Sequence, residues 1–172
     1  MATTRISIAK ALRIRKSLKG EIAELTRRAT ACVAWVEGKR KDFEFSTVDE
    51  ARKAKVENLV MLETAIARSN AMSTATWQGR DVTLAELIRR QVELKGELTF
   101  VASLTLQHGP QRVATGEWDE HRRPVHTTET WSSAYTEPER VKLLAELRTK
   151  CEALNETLEE ANHRNLVEID LS

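Results

Sequence analysis

The feature that most constrains this chain is a stripe of apolar residues, spaced three or four positions apart, near its C-terminal end. The stripe consists of Leu144, Leu147, Cys151, Leu154, Leu158 and Ala161. Residues at these steps share one face of an α-helix, and the same spacing recurs over most of residues 5–37. Such a face is stable only when it packs against other helices. The sequence therefore predicts long helices that each bury one side.

Helix start and stop signals divide the chain into four such helices. The expected ranges are 5–37, 47–70, 83–108 and 137–164. Ser46, Thr83 and Thr136 stand where capping side chains are common, and Gly109 and Pro110 end the third helix. We expect an all-α fold in which two long antiparallel helical hairpins form a four-helix, coiled-coil-like bundle. The bundle is predicted to be a single domain over residues 1–172.

Two segments between the helices differ in composition. Residues 71–82 contain Trp77 and a polar turn, which predicts a loop. Residues 111–135 are rich in Thr, Val and Trp, which favour extended backbone. They form either a small β-hairpin, with strands near 112–118 and 125–131, or a long loop with a function of its own.

Charge and composition exclude some classes of protein. The 172 residues include 27 basic and 26 acidic side chains, so a net charge of +1 argues against bulk binding of nucleic acid. No apolar run is long enough to cross a membrane or to serve as a signal peptide, which predicts a soluble cytoplasmic protein. Cys32 and Cys151 lie on apolar stripes, where buried free thiols are favoured over a disulfide.

Catalytic and metal-binding motifs are missing from the sequence. The four histidines and two cysteines show no zinc-ligand spacing, and there is no GxSxG, GxxxxGK or GxGxxG motif. Paired carboxylates remain open as acid–base groups, although 26 acidic residues on helices mostly form solvated faces. We therefore expect no metal, no cofactor and no enzymatic activity.

The aromatic residues give the best indication of a binding site. An indole ring stacks on a base while an arginine side chain binds the adjacent phosphate, so Trp beside Arg is typical of sites for nucleotides and related anions. The start of the third helix, behind Thr83, adds free backbone N–H groups. The candidate ligand-binding residues are Asn70, Trp77, Arg80, Arg89, Trp118, Arg122, Arg123, His126, Trp131 and Tyr135. The alternatives are that the Trp residues only cover the ends of the bundle and that Asn70 caps the second helix.

Several short motifs connect the chain to a known family. They are Lys10-Ala11-Leu12-Arg13-Ile14-Arg15, Arg68-Ser69-Asn70, Gly79-Arg80, Thr83-Leu84-Ala85-Glu86, Arg89-Arg90 and Thr128-Glu129-Thr130-Trp131. With these motifs the sequence resembles an uncharacterised, septicolysin-like family of small bacterial and phage proteins. The resemblance implies an all-helical hairpin architecture and self-association, and it implies no established enzymatic activity.

Three functions are compatible with these observations. The first is a non-enzymatic homo-oligomer that sequesters a small anionic, nucleotide-like ligand, in the manner of phage proteins that bind host immune nucleotide signals. The second is a helical scaffold that binds a protein partner. The third is an enzyme acting on a phosphorylated substrate, which no residue spacing supports. The concentration of Trp, Arg and His within residues 111–135 favours the first.

Overall fold

The computed structural model describes residues 4–38 and 43–169 and shows a mixed α and β fold. Within these residues the chain forms four helices and six strands, and the strands pair in three separate two-stranded sheets. The predictions of an all-α fold and of a coiled-coil bundle are therefore wrong. Residues 39–42, between the first two predicted helices, lie outside the described residues.

The helices occupy approximately the predicted positions. They are α1 Ile8–Cys32, α2 Phe45–Met72, α3 Leu84–Ser103 and α4 Glu137–Arg164. Helix α4 begins with a reciprocal cap, in which Thr136 N donates to Glu139 Oε2 at 2.7 Å and Glu139 N donates to Thr136 Oγ1 at 3.5 Å. Such a cap satisfies N–H groups that have no partner within the helix.

The caps of the other helices agree only in part with the sequence predictions. Thr83 caps α3 as expected, because its Oγ1 accepts from Glu86 N at 3.2 Å. Ser46 does not cap α2, since that helix begins one residue earlier, at Phe45, and its N-cap Glu44 makes no side-chain cap bond. At the start of α1, Ser7 is the cap, because its Oγ accepts a hydrogen bond from Lys10 N at 3.2 Å. The predicted start of α1 at residue 5 is wrong, because residues 4–7 are extended and the helix begins at Ile8.

The three sheets are antiparallel pairs. Strand β1 (Thr4–Ser7) pairs with β6 (Leu166–Ile169), β2 (Thr74–Trp77) with β3 (Arg80–Thr83), and β4 (Gly109–Trp118) with β5 (Pro124–Trp131). The hairpin considered for residues 111–135 is thus present. The loop predicted for residues 71–82 is wrong, because most of it forms the β2–β3 hairpin.

The chain divides into two compact units. Unit 1 comprises Met1–Arg90 and Leu154–Ser172, and unit 2 comprises Gln91–Ala153. Unit 1 contains the α1–α2 hairpin, and its core includes fully buried apolar side chains, among them Ile8, Leu62, Leu84, Leu87, Leu154 and Val167. In unit 2, all of which is described, the buried apolar side chains are Val101 and Leu147. The single domain expected from the sequence remains a prediction.

Candidate functional site

The β2–β3 hairpin of unit 1 brings together two of the predicted site residues. Its two-residue turn, Gln78–Gly79, has φ angles of 51° and 76°, the left-handed pair that a tight hairpin turn requires. This turn places Trp77 directly across from Arg80 in the register. An indole and a guanidinium are therefore neighbours at the tip of this hairpin.

Alternation along the hairpin decides which way this pair faces. Val82 is two residues from Arg80, so it shares the face of Trp77 and Arg80, and it is buried. The opposite face carries Thr76, whose Oγ1 donates to Asp81 Oδ1 at 2.7 Å. Trp77 is half-buried and Arg80 is exposed. On this face of the hairpin, the pair at the tip is therefore accessible to solvent, while Val82 packs into the core.

The other two predicted site residues of unit 1 lie on helices. Asn70 is half-buried within α2 and does not cap it, because Ser73 N makes the closing bond to Ser69 O at 2.8 Å. The Asn70 Oδ1 atom is buried without a hydrogen-bond partner among the described residues. Arg89 is exposed on α3.

The β4–β5 ribbon of unit 2 presents one half-buried and one exposed face. On the first face Gln111, Val113 and Val125 are half-buried. The other face carries three cross-strand pairs whose members are all exposed, and these are Trp118↔Pro124, Ala114↔His126 and Arg112↔Thr128. Residues two apart on one strand share a face, so Pro124, His126 and Thr128 of β5 lie on one face together with their partners on β4. The row of exposed residues formed on this face by Trp118, His126 and Arg112 is here called the ribbon row.

The ribbon row carries no carboxylate, although the ribbon as a whole is acidic. Residues 109–131 contain three arginines and the four carboxylates Glu117, Asp119, Glu120 and Glu129. Glu129 pairs with Gln111 on the opposite face, and Asp119 and Glu120 are in the turn. Glu117 lies in the irregular stretch between Ala114 and Trp118, outside the cross-strand pairs. The ribbon row therefore combines an indole, an imidazole and a guanidinium, a set that can stack on a flat ring and bind an anion.

The turn of the ribbon holds the predicted residues Arg122 and Arg123. Asp119 Oδ1 accepts from His121 N and from Arg123 N, both at 2.8 Å, and this closes the turn. Asp119 Oδ2 lies 3.4 Å from Arg123 Nε, so the Arg123 charge already has an acidic partner. Arg122 has a φ angle of 58°, a strained value for a residue with a side chain.

Two further predicted residues lie at the base of the ribbon. Trp131 pairs with Gly109 and so belongs to the face opposite the ribbon row. The carbonyl O of Tyr135 lies 2.9 Å from His108 Nε2. The hydroxyl of Ser133 accepts from Gln107 N at 2.8 Å and donates to Gln107 O at 2.9 Å, which joins the two chain segments where the ribbon begins. The ribbon therefore has a fixed base.

The ten predicted site residues are thus divided between the units. Asn70, Trp77, Arg80 and Arg89 belong to unit 1, and the other six belong to unit 2. Within its unit, Trp77 is brought to Arg80, and Trp118 is brought to His126. Arg112 shares the ribbon row with Trp118 and His126 and is not one of these ten, although the sequence indicates it as a loop arginine that could bind an anion. The hairpin register is what places it on the same face.

Sequence reasoning also missed a groove in unit 1 between α2 and β6. It has a volume of about 840 Å³, and its walls include Met61, Arg68, Met72 and Leu166. Met61, Met72 and Leu166 are 43%, 73% and 55% exposed, which is high for large apolar side chains. The only sequence signal was the surplus of apolar residues on α2 beyond those needed for its buried face.

Two kinds of feature are absent from the described residues. Among residues 4–38 and 43–169, no group of three or more His, Cys, Asp or Glu side chains is arranged to hold a metal ion. No helix in the described ranges is both long enough and apolar enough to pass through a membrane.

Comparison with known proteins identifies the fold and leaves the function open. No family model matches the sequence, and no curated protein matches it. The fold is similar to that in the crystal structure of a functionally unknown conserved protein from Corynebacterium diphtheriae, with a TM-score of 0.74 and 16% sequence identity. The similarity covers 95% of this chain and 99% of that chain. The resemblance to a septicolysin-like family remains a prediction.

Proposed function

We propose that this protein is a non-enzymatic binding protein that self-associates and holds a small anionic ligand of the nucleotide class. The observation that carries this proposal is the ribbon row, in which Trp118, His126 and Arg112 lie exposed on one face without a carboxylate among them. Trp118 lies across from Pro124 and Arg112 across from Thr128, so the two are about 13 Å apart along the ribbon at about 3.3 Å per residue. A ligand of nucleotide size can stack its base on the indole while its phosphate accepts paired hydrogen bonds from the guanidinium.

The chemistry of the ribbon row supports binding rather than turnover. None of its members is a carboxylate, a thiol or a hydroxyl, so His126 is the one member that could act as a nucleophile or a base. His126 is exposed, and its cross-strand partner is Ala114. A general base is normally oriented by a second group, often a carboxylate. The neighbours of His126 on this face, Ala114 and Thr128, carry no carboxylate. A ligand held on this face would leave chemically unchanged.

Self-association has independent support from the thin core of unit 2. A segment of this length that buries only Val101 and Leu147 has little apolar burial to stabilise it. The same unit leaves Val92, Phe100 and Val141 more than half exposed. Covering such side chains with a second copy would supply the missing burial. The setting we propose is the cytoplasm, and a phage-type sponge for nucleotide signals is one biological role of this form, by analogy only.

Isothermal titration with a panel of nucleotides, including cyclic nucleotides, tests the proposal. We expect one nucleotide class to bind, and Trp118→Ala and Arg112→Ala each to weaken its binding about tenfold or more. Thr127→Ala, on the opposite face of β5, is the matched control and should bind as the unaltered protein does. Chromatography of the incubated nucleotides should show no product. Absence of binding to every member of the panel would contradict the ligand part of the proposal.

A scaffold that binds a protein partner is the second candidate. The observation that favours it is Phe100, which is 62% exposed on α3, the helix that also leaves Val92 exposed. Exposed apolar side chains on a helix are typical of protein interfaces. A scaffold requires Phe100 to remain accessible in the purified protein and to become protected when a partner binds. Protection of Phe100 in the protein alone, measured by hydroxyl-radical footprinting, would favour self-association instead.

A further inference from the structure

The outer surface of α2 carries a second pattern that the core of unit 1 does not use. The buried face of this helix includes Val48, Leu62 and Ile66. A regular series of exposed residues at alternating steps of three and four follows the opposite side of the helix. This series, here called the outer stripe, consists of Ala54, Glu57, Met61, Thr64, Arg68 and Ala71. It is about 26 Å long at 1.5 Å per residue.

Large apolar side chains flank the outer stripe. Val60, next to Met61, is 53% exposed, and Met72, at the end of α2, is 73% exposed. Leu166, at the start of β6, is 55% exposed and lines the groove beside the same stretch of α2. An exposed cluster of this kind is unfavourable in water and is typical of a surface that is covered by another molecule.

The charges of the outer stripe indicate what covers it. Glu57 and Arg68 are exposed, and within the part of the chain that the structure describes neither forms an ion pair. The neighbouring charges of α2 are different, because Lys53 pairs with Asp49, Lys55 with Glu21 and Glu63 with Lys19. One acidic and one basic side chain are thus left without an opposite charge on a single face.

The outer stripe is symmetrical about its own centre, which lies midway between Met61 and Thr64. Glu57 and Arg68 are equally far from this centre, and so are Ala54 and Ala71. If a second α2 packs antiparallel across this point, each Glu57 meets an Arg68 of the other helix. The same register places Met61 against Thr64 and Ala54 against Ala71. Only a two-fold axis brings a stripe into contact with its own reverse.

We infer that the outer stripe of α2 is a self-recognition surface, where a second copy of this chain packs its own α2 antiparallel about a two-fold axis between Met61 and Thr64. Two Glu57–Arg68 pairs bracket the contact and fix its register. Small side chains, Ala54 and Ala71, let the helices approach at each end. The inference rests on the self-association in the proposed function, and it adds a contact surface on unit 1 to the exposed side chains of unit 2.

Charge reversal on the full-length chain tests this register directly. Sedimentation equilibrium measures the dimer dissociation constant of the unaltered protein and of three variants, Glu57→Arg, Arg68→Glu and the double reversal. Each single reversal replaces two attractive pairs by two repulsive ones, so we expect dimerisation to weaken roughly tenfold or more. The double reversal restores opposite charges and should return the constant to within about threefold of the original.

Matched controls separate this effect from general changes in charge. Arg13→Glu reverses one exposed charge on α1, outside the outer stripe, and should leave the dissociation constant unchanged. Circular dichroism checks that every variant retains its helix content. Met61→Lys removes an apolar side chain at the centre and should weaken dimerisation even at high salt, where the charge reversals lose part of their effect.

The outcomes distinguish this inference from the function on which it rests. Weakening in both single reversals, with recovery in the double reversal, supports the two-fold register. If the three charge-reversal variants and Met61→Lys all dimerise as tightly as the unaltered protein, the inference is overturned. Self-association would then take place through another surface. An unaltered protein that is monomeric at about 100 μM overturns the self-association itself, because a stable dimer of this kind binds more tightly than that.

Discussion

Ser69 Oγ donates a hydrogen bond of 3.1 Å to the carbonyl O of Leu166, and this bond links the last turn of α2 to the first residue of β6. The two residues are 97 positions apart in the chain. Strand β6 is also held by its pairing with β1 on its other side. The Ser69 hydroxyl therefore fixes one wall of the groove relative to the other.

Loss of this bond should weaken unit 1 by a small, measurable amount. Ser69→Ala removes the donor while the Leu166 carbonyl remains, so we expect the free energy of unfolding to fall by about 1 kcal/mol. Urea denaturation followed by circular dichroism measures this difference. Thr30→Ala is the control, because the Thr30 hydroxyl bonds only to Thr26 O within α1 and links no two elements. An equal loss in both variants would mean that the α2–β6 bond has no special role.

The turn of the β2–β3 hairpin should accept a better turn residue. Gln78 has a φ angle of 51°, which Asn adopts at lower cost than Gln. Gln78→Asn is therefore expected to raise the free energy of unfolding by roughly 0.5 kcal/mol, while Gly79→Ala, at a φ of 76°, should lower it by about 1 kcal/mol. Thermal denaturation checks both signs. Destabilisation by Gln78→Asn would contradict the assigned turn.

The reciprocal cap of α4 should contribute to the stability of that helix. Thr136→Ala removes the hydroxyl that bonds Glu139 Oε2 at 2.8 Å and that accepts from Glu139 N. We expect a loss of about 1 kcal/mol. Thr149→Ala, farther along α4, is the matched control, since Thr149 bonds only to Ala145 O and Ala is the better helix former. Amide hydrogen exchange over residues 137–142 should increase in the first variant alone.

Acid should destabilise the protein through carboxylates that have basic or N–H partners. Hydrogen bonds from Arg27, and then from Arg28, lower the pKa of Glu24 from 4.5 to about 2. The pKa values of Glu21, Asp49, Glu63 and Glu139 are also lowered. A pKa that is lower in the folded state gives stability that is complete above the unfolded value and disappears as the pH falls through the folded value.

The pH window for this effect therefore runs from about 4.5 down to about 2. Urea denaturation across this range should show a falling free energy of unfolding, and Glu24→Gln should make the fall less steep. The Glu24 side chain is partly exposed, so 1 M salt should reduce the contribution. A slope that is identical with and without Glu24 would show that its ion pairs do not affect folding.

Substitutions on the two faces and the turn of the ribbon should have different effects on ligand binding. The sequence prediction places Arg123 and Trp131 in the site, whereas the proposal made here rests on Trp118 and Arg112. Arg123 is partnered by Asp119, and Trp131 is on the face of Gln111 and Val113, so we expect their alanine variants to weaken binding less than Trp118→Ala does. Titration of the alanine variants of Trp118, Arg112, Arg123 and Trp131 with the same nucleotide gives their dissociation constants. If the Arg123 and Trp131 variants lose more affinity than the other two, the site lies at the turn and on the opposite face.

Helix α4 was predictable from the sequence because all of its signals are local. Its capping pair is three residues apart, its apolar stripe is regular, and its observed bounds, Glu137–Arg164, match the predicted 137–164. Strands β1 and β6 were not predictable in this way. Each has four residues, and Arg5 pairs with Glu168 across almost the whole chain. The sequence prediction therefore extended α1 back to residue 5, across most of β1.

The candidate site was predictable in residue type and less so in arrangement. Trp118 and His126 were named from the sequence, but their common face depends on the register of β4 and β5, which includes an irregularity between Ala114 and Trp118. Such a shift changes which side chains share a face. The outer stripe of α2 was missed because Met61 is the one large apolar side chain in it, and which face of a helix stays exposed depends on contacts between distant segments.

Native mass spectrometry of the protein purified from cells tests the central claim most directly, because it measures subunit number and bound small molecules together. We predict a dimer or larger closed oligomer that retains a small anion, and the anion should be lost in the Trp118→Ala variant while the oligomer persists. A monomer that carries no bound molecule, in protein shown by circular dichroism to be folded, would contradict it.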